Sequence, residues 1–180
     1  TAPASVITTP ANSGNYNSLA TMSGTSSGDT SSVQISLKNS TDTTYWNGAT
    51  WGAVETWLSA TGTSAWTFTM PALTSGKTYL AKSKATDTAA NVETPSAGNS
   101  FNYDTAAPSS TVTAPTNGSY TNSLPNITGT GSDTGGSTLD RVELVIKNLV
   151  SGDYWSGSAW VVGLSTVNAT GTSAWTYANP

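Results

Sequence analysis

The sequence predicts an all-β protein made of two antiparallel β-sandwich repeats in tandem, the second lacking its last two strands. Three observations carry this. Ser and Thr make up 60 of the 180 residues while only 9% are charged, and Thr, being β-branched, suits a half-exposed pleated face. Short segments alternate apolar and polar residues between Gly, Pro and Asn, as antiparallel strands do, and no 3.6-residue apolar period outlasts two turns. The chain also repeats itself.

The repeat is read residue by residue. Pro3 and Pro10 match Pro108 and Pro115, Asn17-Ser18-Leu19 matches Asn122-Ser123-Leu124, and Gly24-Thr25 matches Gly129-Thr130. After a four-residue insertion, Val33, Ile35, Leu37, Lys38 and Asn39 match Val142, Leu144, Ile146, Lys147 and Asn148. Tyr45-Trp46, Gly48 and Trp51 match Tyr154-Trp155, Gly157 and Trp160, and Ala60–Thr67 recurs unchanged as Ala169–Thr176. Pro71 is answered by Pro180. The first domain is assigned to residues 1–104 and the second to 105–180, with nothing in the second corresponding to Ala72–Asp104.

Within one repeat the elements follow in order. Ser5–Thr8 before Pro10 reads as an edge strand, where Pro is tolerated, and Ala20–Gly24 as the next. Ser32–Lys38 alternates, with Val33, Ile35 and Leu37 inward. Thr43–Trp46 and Trp51 flank an Asn47-Gly48 turn, a hairpin signal. Val54–Thr61 and Ala65–Met70 are expected to be strands joined by a turn at Gly62. Lys77–Thr86 is the longest strand, and Ser100–Tyr103 closes the domain. Tyr79, near the start of the penultimate strand, sits where sandwich domains place a Tyr whose hydroxyl bonds back to upstream backbone; a plain core Tyr is the other reading.

Composition excludes several classes. The absence of Cys and His removes a thiolate nucleophile, a disulfide and a Ser-His-Asp triad, and takes from zinc its two favoured ligand types. Six basic residues and a net charge of -4 argue against nucleic-acid binding through phosphate neutralisation. No apolar run is long enough to span a bilayer. An acidic, Ser/Thr-rich, Lys-poor chain fits an extracellular bacterial protein.

Taken together, Tyr45-Trp46-Asn47-Gly48-x-x-Trp51, Trp66-x-Phe68, Leu73-x-x-Gly76-x-x-Tyr79 and Ala85-x-Asp87-x-Ala89-x-Asn91 resemble the bacterial immunoglobulin-like (Ig/fibronectin-III-like) domains, which are arrayed in tandem in large secreted and cell-surface proteins, adhesins among them. The resemblance covers the first repeat and about three quarters of the second. Two departures stand out. Ala90 replaces the family's usual Gly, which predicts a turn without positive φ there, and Ser156 replaces Asn47 in the second copy. The resemblance implies an Ig-like fold and a structural or adhesive role as spacer, stalk or filament module. It implies no catalytic residues and no cofactor.

The residues offer few sites. The acidic side chains are dispersed, mostly at predicted turns, so paired-carboxylate catalysis is not expected and the protein reads as a non-enzyme. Asp87, Asn91 and Asp104 are the weak calcium candidates, since calcium takes carboxylate and carbonyl oxygens; no EF-hand or Gly-Asp spacing supports them. Trp46, Trp51, Trp155 and Trp160 are candidates for stacking on a surface glycan, against the plainer reading that they pack across a hairpin.

The shortened second copy leaves three readings: further chain supplies the missing strands, a partner strand completes it, or it is partly disordered. The second reading makes the protein a filament subunit assembled by donor-strand complementation, with Val6 and Ile7 in the candidate donor segment. Expected partners are accordingly neighbouring Ig-like modules or identical subunits, with a carbohydrate-binding module as the third functional reading.

Overall fold

A computed structural model describes residues 1–178; Pro180, the counterpart of Pro71, lies outside them. The described residues form an all-β structure, and none of them forms a helix long and apolar enough to cross a membrane. They divide into two compact units, Thr1–Ala106 with Gly135–Ser137, and Ala107–Thr134 with residues 138–178.

The first unit holds β1 (Ser5–Thr9), β2 (Gly14–Tyr16), β3 (Thr21–Ser26), β4 (Thr30–Asn39), β5 (Thr44–Trp46), β6 (Trp51–Gly52), β7 (Leu58–Ser59), β8 (Thr61–Gly62), β9 (Ala65–Thr69), β10 (Lys77–Asp87) and β11 (Asn99–Tyr103). One sheet runs β1-β3-β9-β8 and the other β2-β11-β10-β4-β5-β6, with β7 also paired to β4. The arrangement is sandwich-like, and its core follows from alternation. Val33, Ile35 and Leu37 of β4, and Tyr79, Ala81 and Ala85 of β10, point inward against Met22, Trp66, Met70 and Phe101, all buried. β4 and β10 pair over nearly their whole length, from Tyr79↔Asn39 to Asp87↔Thr30.

The second unit holds β12 (Ser109–Ala114), β13 (Asn126–Ser132), β14 (Glu143–Leu144), β15 (Tyr154–Trp155), β16 (Trp160–Val161), β17 (Val167–Asn168) and β18 (Ala174–Ala178). β12-β13-β18 form one sheet, and β14-β17 and β15-β16 form two short ladders. The pairing repeats that of the first unit: Gly24↔Trp66 of β3-β9 becomes Gly129↔Trp175 of β13-β18. The core is smaller, with Val142, Leu144, Val167 and Trp175 buried.

Two expectations need correction, and one strand was not expected. Val54–Thr61 is not one strand; only Leu58–Ser59 and Thr61–Gly62 pair. The residues before them cross the outer face of β4 and β10 instead. There Glu55 accepts from the Ser36 hydroxyl (3.0 Å) and lies 3.6 Å from Lys82 Nζ, and the Trp57 ring sits under Lys84 (4.3 Å). β2 carries no alternation signal and was not foreseen; it joins the sheet in parallel beside β11. Ala90 adopts φ 65° although it is not Gly. Around it the Ala90 amide donates to the Asp87 carbonyl (3.1 Å) and the Asp87 amide to the Asn91 carbonyl (3.1 Å), a turn tied closely enough to hold the left-handed residue.

Candidate functional site

The aromatic hairpin is built by its turn. The Asn47 side-chain oxygen accepts from the amides of Ala49 (3.0 Å) and Thr50 (2.8 Å), which brings Trp46 opposite Trp51. The two rings lie 5.6 Å apart at 56°, and Trp51 lies 5.7 Å from Tyr79. Both indoles are half-buried against the core, so one face of each is already used. In the second unit Ser156 substitutes for Asn47 by accepting from the Ala159 amide (3.1 Å) and donating to its carbonyl (2.9 Å). Trp155 and Trp160 lie 5.5 Å apart at 59°, and Trp155 Nε1 donates to the Tyr177 hydroxyl (2.9 Å). Trp160, 43% accessible, is the most open of the four. These rings form two separate pairs, each inside its own unit.

The calcium candidates are spent on turn chemistry. The Asp87 carboxylate accepts from the Asn91 side-chain amide (2.8 Å), the Asn91 backbone amide (2.8 Å) and the Ala89 amide (2.9 Å). These bonds, that from the Asn91 side chain foremost, hold its pKa below the ordinary aspartate value. Asn91 thereby presents a donor, not an oxygen ligand, to its neighbour. Asp104 has a different set of partners, accepting from Ala106 N (2.9 Å), Ser137 N (3.0 Å), the Ser137 hydroxyl and the Ser75 hydroxyl (3.4 Å). The Ser137 hydroxyl is the main cause that lowers its pKa. No group of three or more acidic side chains with metal-binding geometry occurs among the described residues.

The proposed donor segment is already employed. Val6 pairs Thr25 and Ile7 pairs Gly24 within the first unit's own sheet; Ile7 packs on the core and Val6 faces out.

Sequence reasoning missed two features. Glu93 is a latch: its carboxylate accepts from the Ser5 amide (3.0 Å), the Ser5 hydroxyl (2.7 Å) and the Ala85 amide (2.8 Å), fastening β1 to β10 across the sandwich. Glu93 lies in a Pro-flanked loop without motif, so no local signal marks it. The lysines are the second. Lys38 sits over Tyr45 (5.5 Å), Lys84 over Trp57 and Lys147 over Tyr154 (5.1 Å), while Lys77 bonds Asp42 (2.8 Å). The adjacency of Lys38 and Tyr45 was readable from the hairpin, but that of Lys84 and Trp57 depends on the crossing segment.

β2 and β11 form the remaining arrangement of note. Phe101, Asn102 and Tyr103 pair in parallel with Gly14, Asn15 and Tyr16. The ladder is extended by Ser13 N to Ser100 O (2.6 Å) and Asp104 N to Tyr16 O (2.8 Å). Side chains reinforce it: Asn102 Nδ2 donates to Asn15 Oδ1 (2.9 Å) and Ser100 N to Asn12 Oδ1 (3.0 Å).

No protein-family model matches the chain, and no curated protein sequence matches it.

Proposed function

We propose that the protein is a structural or adhesive module of a bacterial surface or secreted protein, a non-enzymatic spacer of tandem Ig-like domains working outside the cell. The parallel pairing of β2 with β11 carries this reading. β2 lies near the start of the first unit and β11 near its end. Tension that draws these ends apart therefore pulls two parallel strands in opposite directions along their length. All the bonds between them are loaded together in shear and none is peeled in turn. The acidic, Cys-free, Ser/Thr-rich composition supports an extracellular setting.

Force spectroscopy on the full chain, held by its ends, tests this. The first unit should give one discrete unfolding event with a length gain of roughly 350 Å, from about 3.5 Å per residue. The Tyr16 carbonyl faces β11, where it accepts from the Asp104 amide, and the Tyr16 amide lies on that same edge. Tyr16→Pro removes that donor and should lower the unfolding force more than Tyr16→Ala, which keeps it; Asn102→Ala, which spares the backbone, should also lower it less. Gradual extension without a discrete event would sink the reading.

A second reading, a filament subunit completed by a partner strand, is favoured by one observation: among the described residues β14 is hydrogen-bonded along one edge only, to β17.

A further inference from the structure

The second unit carries a cleft of about 260 Å³ whose lining includes Ser109, Ser110, Leu139, Arg141, Val142 and Glu143. The internal repeat identifies what fills the same place in the first unit. Ser110 corresponds to Ser5, and Val142 and Glu143 to Val33 and Gln34. In the first unit Ser5 is buried, its hydroxyl 2.8 Å from that of Ser83 on β10 and bonded to Glu93. Opposite Val33 and Gln34 stand Ala85 and Lys84, again of β10. In the second unit Ser110 is exposed and its hydroxyl has no partner among the described residues. No described residue of that unit corresponds to β10.

The backbone is prepared for the same addition. The Val142 carbonyl accepts from the Ala169 amide and the Ile146 carbonyl from the Trp155 amide (both 2.9 Å). Backbone groups alternate sides along a strand, so Glu143 and Val145 turn theirs toward the opposite, unpaired edge. Charge agrees. A β10-like strand in the register of the first unit brings Lys84 opposite Glu143, where the first unit has the neutral Gln34. Glu143 is exposed, and its ion-pair partner among the described residues, Arg141 (Nε at 3.3 Å), is shared with Asp140 (2.8 Å).

We propose that this cleft and the free edge of β14 are a strand-binding site. Its occupant is an extended polypeptide segment of β10 chemistry: small or hydroxyl side chains facing in at the positions of Ala81, Ser83 and Ala85, lysines facing out, and a carboxylate following at the spacing of Glu93. The segment adds antiparallel to β14, with its serine and carboxylate on Ser110. The inference deepens the strand-completion reading above by naming the site, register and ligand, and rests on that reading only for its biological setting.

The test is titration of the full chain into a fluorescein-labelled synthetic peptide of sequence Thr74–Tyr103, followed by anisotropy, with amide hydrogen exchange on the complex. Saturable one-to-one binding is expected, absent for a scrambled peptide, with new protection at Glu143 and Val145. Ala85→Arg in the peptide should abolish binding without touching the protein's fold. Lys84→Glu in the peptide should weaken it about two- to fivefold, as for an opposed cross-strand charge, and Glu143→Lys in the chain should restore it. No saturable binding, equal binding of the scrambled peptide, or protection at Gln34 and Ser36 instead overturns the site. The filament reading is separated by sedimentation without peptide. A monomeric chain that binds peptide at Glu143 and Val145 supports the site and removes the filament.

Discussion

Gly24 lies directly opposite Trp66 across the β3-β9 ladder, and the indole occupies the space a side chain would need. A Cβ on Gly24 would stand 2.2 Å from Trp66 Cζ2 and 2.1 Å from the Val6 carbonyl oxygen. Gly129 and Trp175 repeat the relationship in the second unit, where the Cβ would meet Trp175 Cζ2 at 2.1 Å and the Thr111 oxygen at 2.1 Å. The larger residue of each pair is buried at the centre of its core. The matched Gly–Trp spacing is thus a packing constraint, and the indole closes over backbone that has no side chain to obstruct it.

Gly24→Ala should therefore destabilise the first unit by about 1–3 kcal/mol, the usual cost of overpacking a filled core. Because one of the clashing atoms is backbone, the ladder itself must shift. Urea unfolding followed by tryptophan fluorescence measures it, and Gly129→Ala should act likewise on the second unit. An unchanged midpoint for Gly24→Ala would show that the ladder yields more easily than this packing implies.

The Tyr79 hydroxyl accepts from the Thr74 amide at 2.8 Å, with the ring buried and stacked 5.5 Å from Phe101. Tyr79→Phe keeps the ring and removes the amide's part-buried partner, at a cost of about 0.5–1.5 kcal/mol for the lost hydrogen bond. Tyr16 provides the contrast. Its hydroxyl accepts from the Ala11 amide at 2.7 Å in an exposed setting, where water can replace it. Tyr16→Phe should cost less than Tyr79→Phe by thermal denaturation, and equal costs would remove burial as the reason.

Much of this was legible in the sequence because strand alternation reports burial directly. Val33, Ile35 and Leu37 read as inward and are inward, and the Tyr79 hydroxyl bonds back upstream as its position suggested. What escaped was non-local. β2 forms because Gly14–Tyr16 lies alongside β11, about 87 residues on, and a three-residue polar segment has no period to show. Val54–Thr61 looked like a strand from its apolar content, yet Glu55 and Trp57 found partners on the outward face of two other strands. Of the site candidates, the sequence located the Trp pairs and the Asp87 turn. Packing across the hairpin was the plainer reading of the Trp pairs, but the contact of Trp51 with Tyr79 and the bonds from Asn91 to both Asp87 oxygens depend on the fold.

Asp87 should make stability fall in acid. Its folded pKa lies below the ordinary value, chiefly through the bond from the Asn91 side chain. A group with a depressed folded pKa contributes stability that is fully present above its unfolded value, about 3.9, and lost as pH falls through the folded value. Asp87→Asn should therefore lower the melting temperature at pH 7, and the gap to the parent chain should close as the pH falls below the ordinary aspartate value and through the lower folded one. A gap that stays constant over that range would assign the effect to lost packing and not to the carboxylate.

Ala90 holds φ 65° in the turn after β10, a conformation that costs an L-residue about 1–2 kcal/mol and a glycine almost nothing. The strain is local, since the bonds that surround it run through the backbone and side chain of Asp87 and through Asn91. Ala90→Gly should relieve it. Part of the gain is offset, because glycine is freer in the unfolded chain by about 0.4–1 kcal/mol. The net expectation is a stabilisation of about 0.5 kcal/mol, read as a rise in the urea midpoint with an unchanged slope. Ala89→Gly, one position earlier and without positive φ, carries the entropic cost alone and should destabilise. The two substitutions remove the same methyl from the same turn, so opposite signs isolate the backbone conformation as the cause. If both destabilise, the turn does not hold Ala90 in a strained state.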